Sequence, residues 1–177
     1  YDYLRLLYAR IGTPHCHKCE QEVSRQSVDE IVDTVMQIPL GTRIMLLAPV
    51  IKGKKGEHRE VLEAVRKDGF VRARIDGVLL DITQPIKLSR YKTHDIEALV
   101  DRLVIKEDIG ARLYDSIQTC LEVGDGMMVL SQEKMRAWHD ALFSQRYACK
   151  QCGVSLEELA PRLFSFNSPY GACPACG

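Results

Sequence analysis

Phe70-Val-Arg-Ala-Arg-Ile-Asp-Gly-Val-Leu-Leu-Asp-Ile82 is two short runs joined by Asp76-Gly77. Asp-Gly suits a two-residue turn whose residues need positive φ, so the stretch reads as a β-hairpin. Successive side chains on a strand point to opposite faces. Val71, Ala73 and Ile75 therefore share one face of the first strand, and Phe70, Arg72 and Arg74 the other.

Working outward, Arg43 to Val50 is an apolar run bounded by turn residues, which predicts a buried strand. The segment from Asp95 to Lys106 places Ile96, Leu99, Val100, Leu103 and Val104 at helical spacing, but its β-branched residues favour a strand. Met127 to Leu130 predicts a further short strand. Gly53 to Gly56, with lysines at 52, 54 and 55, reads as a basic loop.

Four helices are expected. Leu4, Leu7, Tyr8 and Ile11 form one stripe before Gly12, Thr13 and Pro14. A second helix begins at Ser27, whose side chain and Glu30 make a capping box, and it buries Val28, Ile31, Val32, Val35 and Met36. Glu57 to Lys67 turns Val61, Leu62 and Val65 inward, and Ile109 to Val123 does so with Leu113, Ile117, Cys120 and Leu121. Strands and helices of this kind predict an α+β fold, a mixed small sheet with packed helices.

The chain has 177 residues, 46% hydrophobic and 27% charged, which suits a soluble globular chain. Twenty-four basic and 24 acidic residues give a formal net charge of zero, which excludes a uniformly basic nucleic-acid surface. The apolar runs are too short to span a bilayer, and no basic-then-apolar leader suggests secretion. A cytoplasmic setting with no membrane partner is expected. The sequence begins at Tyr1 rather than Met, which suggests a piece of a longer polypeptide.

Cysteines at 16, 19, 149, 152, 173 and 176 form three Cys-x-x-Cys pairs, and Cys120 stands apart. Two thiols separated by two residues grip one metal from a tight turn, the expected use of paired knuckles in a reducing compartment. Cys149 and Cys152 are followed, after twenty residues, by Cys173 and Cys176. Four thiolates close a tetrahedral shell around zinc, so these residues predict a small structural zinc module held by four cysteines. Ser155 and Glu158 between them suggest a capped short helix ended by Pro161. His15, Cys16, His17 and Cys19 lie too close in sequence to surround one ion and offer at most half a site, its other half coming from elsewhere. Cys120 reads as a small buried hydrophobe.

Nothing in the chain predicts catalysis. Gly53-Lys-Lys-Gly56 lacks the spacing of a nucleotide-binding loop, His58 and His94 suggest surface or capping roles, and no carboxylates form an acid–base pair.

Tyr1-Asp-Tyr-Leu-Arg-Leu-Leu-Tyr-Ala-Arg10 with Gly12-Thr-Pro-His-Cys16, Leu47-Ala-Pro-Val-Ile51, Lys54-Lys-Gly-Glu-His58, Val71-Arg-Ala-Arg-Ile-Asp76 and Glu158-Leu-Ala-Pro-Arg-Leu-Phe-Ser-Phe-Asn-Ser-Pro-Tyr-Gly-Ala-Cys-Pro-Ala-Cys176 together resemble the UvrA family. These are damage-recognition ATPases of bacterial nucleotide excision repair. The resemblance implies three parts: residues 1–19 as the end of an ATP-binding segment, 20–145 as an inserted domain that docks UvrB, and 146–177 as a zinc-finger module leading into a signature domain. It assigns zinc to Cys149, Cys152, Cys173 and Cys176. Family members carry Cys or His at the position of Cys19, which adds weight to metal binding at the first knuckle.

By the same resemblance, ATP and magnesium belong only to the full-length parent, as do homodimerisation and DNA binding. The Walker and signature motifs are missing from this segment. A transient docking interface should be polar with charged rim contacts. Strand geometry and charge nominate Arg72 and Arg74 for it, with Asp101 and Arg102 beside them. Reversing Arg74 to Glu is expected to weaken docking and spare the fold. The alternative is a DNA-contacting module of a UvrA-like drug-resistance paralogue without UvrB partnership.

Overall fold

The computed structural model describes residues 1–23, 25–147, 149, 152, 159–167, 171 and 172. The chain divides into two compact units. One unites Tyr1–Arg25 with Arg146–Gly177, and the other is the continuous segment Gln26–Gln145.

The continuous unit is a six-stranded sheet with three helices. Its elements are α2 (Val28–Met36), β1 (Arg43–Lys55), α3 (Arg59–Lys67), β2 (Arg72–Ile75), β3 (Val78–Asp81), β4 (Thr93–Val104), α4 (Gly110–Val123), β5 (Met127–Lys134) and β6 (Ala137–Ser144). The other unit holds α1 (Asp2–Ile11) and a 3-10 turn, Pro161–Phe164. The α+β class holds. Strand order is β3-β2-β4-β1-β5-β6 and every pairing is antiparallel, so the sheet is not mixed.

The hairpin forms as its sequence demands. Asp76 and Gly77 take φ of 50° and 83°, and Ile75 pairs with Val78. At Ser27 the capping box is complete, with Glu30 N donating to the serine hydroxyl and Ser27 N to the Glu30 carboxylate. The ambiguous segment 95–106 is a strand, β4, which pairs with both β1 and β2.

One face of the sheet is covered by helices. Ile31 and Val35 from α2, Leu62 and Val65 from α3, and Leu113, Ile117 and Leu121 from α4 pack on Ile44, Leu46, Ala73, Ile75, Ile96 and Ala98. Cys120 is fully buried in this core. Burial pushes its thiol well above the ordinary range, so it is an inert hydrophobe.

Several expectations are corrected. The basic segment 52–55 is not a loop. β1 continues through Lys55, and Lys54 and Lys55 pair with His94 and Thr93 beyond three register shifts. Bulges let the strand bend without leaving the sheet. Strand β6 carried no sequence expectation. Its hairpin turn is Met135-Arg136, at φ of 50° and 65°, without the glycine or asparagine that usually marks such a turn. Val71 is exposed although Ala73 and Ile75 are buried, because it lies outside β2. The stripe on α1 buries nothing among the described residues: Leu4, Leu7, Tyr8 and Ile11 are all exposed. Pro161 opens a 3-10 turn, as its fixed φ allows at a first helical position. The capped helix expected at Ser155 and Glu158 lies outside the described residues.

His94 is also not a surface residue. It is 5% exposed. Its Nδ1 lies 2.7 Å from the Asp76 carboxylate and its Nε2 lies 3.0 Å from the Ser89 carbonyl. Both neighbours are acceptors, so only the doubly protonated ring satisfies both. The Asp76 bond accordingly raises the His94 pKa. His58 does stand at the start of α3, but in a left-handed conformation, without a side-chain cap bond.

Candidate functional site

The discontinuous unit gathers thiols. Pro14 to Val23 folds back on itself: Cys16 N donates to Gln21 O at 2.8 Å, Glu20 N to Cys16 O at 2.8 Å, and Val23 N to Pro14 O at 2.8 Å. His15 and Glu22 bridge across this turn. It presents Cys16 and Cys19 to Cys149 and Cys152, and the four sulfurs lie within 4.8 Å of one another. Cys16, Val23 and Cys149 are buried together, with Tyr147 packed against them.

This donor set fits zinc. Bonds of about 2.3 Å in a tetrahedron put ligand sulfurs roughly 3.8 Å apart. Here Cys19 and Cys149 sulfurs are 3.4 Å apart, and none of the four is in a disulfide. Backbone amides also aim at sulfur: Lys18 N lies 3.5 Å from Cys16 Sγ and Cys152 N lies 3.3 Å from Cys149 Sγ. The Lys18 amide leads the effects that lower the Cys16 thiol to about 7. Thiol contacts, Cys19 first, push Cys152 up to about 12. Four adjacent thiols cannot all ionise without a cation between them, and a divalent soft-ligand metal supplies it. With four protein ligands, no position is left open for catalysis.

The half-site at Cys16 and Cys19 meets Cys149 and Cys152, a knuckle that spacing had matched with Cys173 and Cys176. Cys173 and Cys176 lie outside the described residues. His15 and His17 are exposed and outside the cluster; His15 Nδ1 is 3.0 Å from the Thr13 carbonyl.

The second candidate surface is the sheet face that no helix covers. Met45, Leu47 and Val129 are buried there, with Leu79, Leu99 and Leu142 packed against them. Arg74 crosses this face. Its guanidinium bonds Glu97 on the adjacent strand and reaches Asp140 on β6 at 2.8 Å. Strands sit about 4.8 Å apart, so a flat sheet would hold β2 and β6 roughly 19 Å apart. The face is therefore strongly concave, and Arg74 ties its two sides. A groove lined by Met45, Leu79, Arg102 and Trp138 draws on both edge strands, β3 and β6.

The four nominated interface residues separate. Arg72 and Arg102 are exposed. Arg74 has only 12% of its side chain exposed. Burial works against its charge, but Glu97 and Asp140 outweigh that and hold its pKa raised. Asp101 faces the helical side. It accepts from Arg112 at 2.9 and 3.1 Å and from Ser116 at 2.8 Å, both on α4. Burial would raise its carboxyl, but these bonds outweigh it and the pKa falls. Alternation separates the last two: Arg102, opposite Met45, faces the concave side and Asp101, opposite Leu46, the core side, and the register shift between Leu46 and Leu47 sets that phase. Trp138, 41% exposed, was not nominated, because β6 itself was not anticipated.

Among the described residues, no helix is long and apolar enough to cross a membrane. The chain is similar to proteins named UvrABC system protein A. It is 52% identical to that of Clostridium perfringens over 177 residues, covering 99% of this chain and 18% of that protein. For Treponema pallidum the identity is 50% over 189 residues, covering 99% of this chain and 20% of that protein. For Bacillus subtilis it is 47% over 179 residues, covering 99% and 18%. The chain thus spans about a fifth of the length of the curated relatives it matches. The family described as "UvrA interaction domain" matches residues 26–134, nearly all of the sheet unit, and with the concave face and its helical backing this places the chain in the UvrA interaction domain family.

Proposed function

We propose that this chain is the UvrB-docking segment of a damage-recognition ATPase subunit of bacterial nucleotide excision repair, and that it works in the cytoplasm. The observation that carries the reading is the open concave face of a unit whose family is described as an interaction domain. A sheet face left free by its helices and ringed by exposed Arg72, Arg102 and Trp138 suits a transient protein partner. Aromatic and arginine side chains are the residue types that dominate such contacts. Arg72 and Arg102 are the proposed contact residues. Arg74 and Asp101 hold the scaffold beneath them.

Zinc is proposed as the structural ion of the other unit, held by Cys16, Cys19, Cys149 and Cys152. When bound it neutralises the four thiolates and fixes the two knuckles. Hydrolysis of ATP, DNA binding and homodimerisation are proposed for the longer protein.

Calorimetry of the chain against UvrB tests the docking reading. Saturable one-to-one binding that weakens with salt is expected, and Arg102→Glu should weaken it about tenfold. No binding by a folded sample would overturn it and favour the paralogue reading.

A further inference from the structure

The discontinuous unit has a second feature, separate from the docking face. A cavity of about 340 Å³ opens between the end of α1, the segment before α2 and the 3-10 turn. Arg10, Arg25, Tyr147 and Pro161 line it, and no carboxylate among the described residues does. Arg43, Arg59 and Arg112 pair with Glu133, Glu57 and Asp101. Arg10 and Arg25 have no acidic partner among the described residues.

The pocket is also held in shape. The Arg25 guanidinium lies 5.9 Å from the centroid of the Tyr147 ring. Tyr147 in turn packs against the buried Cys16, Val23 and Cys149. Stacking on an aromatic ring orients a guanidinium and leaves its N–H edge free to donate. Two guanidinium groups around one cavity, with no anion among its described lining residues, match an oxyanion of high charge. A phosphate group meets that need, because its oxygens accept the arginine fork bidentately.

We propose that Arg10 and Arg25, backed by Tyr147, form a phosphate-binding pocket. DNA backbone and free polyphosphate both present that group, and the experiment separates them. Fluorescence anisotropy of the 177-residue chain with a short labelled DNA duplex is measured at low and moderate salt, and calorimetry is run with inorganic pyrophosphate. The expected result is duplex binding that pyrophosphate competes away. Arg10→Gln and Arg25→Gln should each weaken it about tenfold, the size of one charge-assisted contact, and lower the salt slope by about 1. Arg25→Lys should retain part of the affinity while circular dichroism stays unchanged. Pyrophosphate binding without duplex binding, lost in the same variants, assigns the pocket to a free phosphate compound. Absence of both, or an equal loss in the control Arg90→Gln, overturns the proposal.

Discussion

Arg74 on β2 and Asp140 on β6 meet at 2.8 Å although β4, β1 and β5 stand between their strands. The contact exists because the sheet curls, and it makes Arg74 part of the scaffold. Removing this cation leaves the largely buried Glu97 and the half-exposed Asp140 without their shared counter-charge. Arg74→Met should cost about 2 kcal/mol, less than a fully buried pair because Asp140 is 45% exposed. Arg74→Glu should cost more, contrary to the expectation that charge reversal spares the fold. Urea unfolding measures both; equal stability of Arg74→Glu and wild type would show that the bridge does not hold the curl.

His94 gives the sheet unit a pH dependence. Its folded pKa is raised above the ordinary histidine value of 6.5, chiefly by Asp76, and opposed by burial and by Lys92. Its stabilisation is therefore complete below about 6.5 and is lost as pH rises through the higher folded value. Asp76 is depressed, first by the Asp95 amide and then by His94, so its share is present above its ordinary value and is lost as pH falls through the lower folded one. Tm should be highest between about pH 4.5 and 6.5 and decline above it. His94→Gln should flatten the alkaline decline, and an unchanged slope would remove His94 as its source.

The turn at Asp76-Gly77 isolates a backbone effect. A Cβ at Gly77 would meet nothing within 4 Å, yet φ there is 83°. Gly77→Ala should therefore destabilise by about 1 kcal/mol through conformation alone. Denaturant midpoints at constant m-value provide the measurement, and a neutral result would mean that the turn relaxes.

Metal analysis should return one zinc per chain. Cys16→Ser or Cys149→Ser should abolish it, whereas Cys173→Ser should not. Chelation should unfold the unit containing Cys16 and leave the Gln26–Gln145 unit folded, as amide exchange can report residue by residue. Zinc loss in Cys173→Ser with retention in Cys16→Ser would instead assign the ion to the knuckles near the end of the chain.

The sequence by itself determined the local structure. Alternation around Asp76-Gly77 specified a hairpin, Ser27 and Glu30 a helix start, and the stripe through Leu113, Ile117 and Leu121 a buried helical face. These follow from interactions spanning a few residues, so they are written in neighbouring letters. The cysteine spacing likewise specified knuckles. Only the tertiary structure decided which knuckles meet, since Cys16 and Cys149 are 133 residues apart and spacing carries no information on pairing at that range. It also decided that Lys54 and Lys55 extend a strand, because β4 offers them partners that no local pattern announces. The hairpin at Met135-Arg136 lacks turn residues, so β6 emerges only from its pairing with β5. Curling of the sheet then drew Arg74 inward, and a register shift turned Asp101 toward α4 while leaving Arg102 exposed. Alternation assigns a residue to one side of a strand; burial and charge on that side depend on how the whole sheet bends.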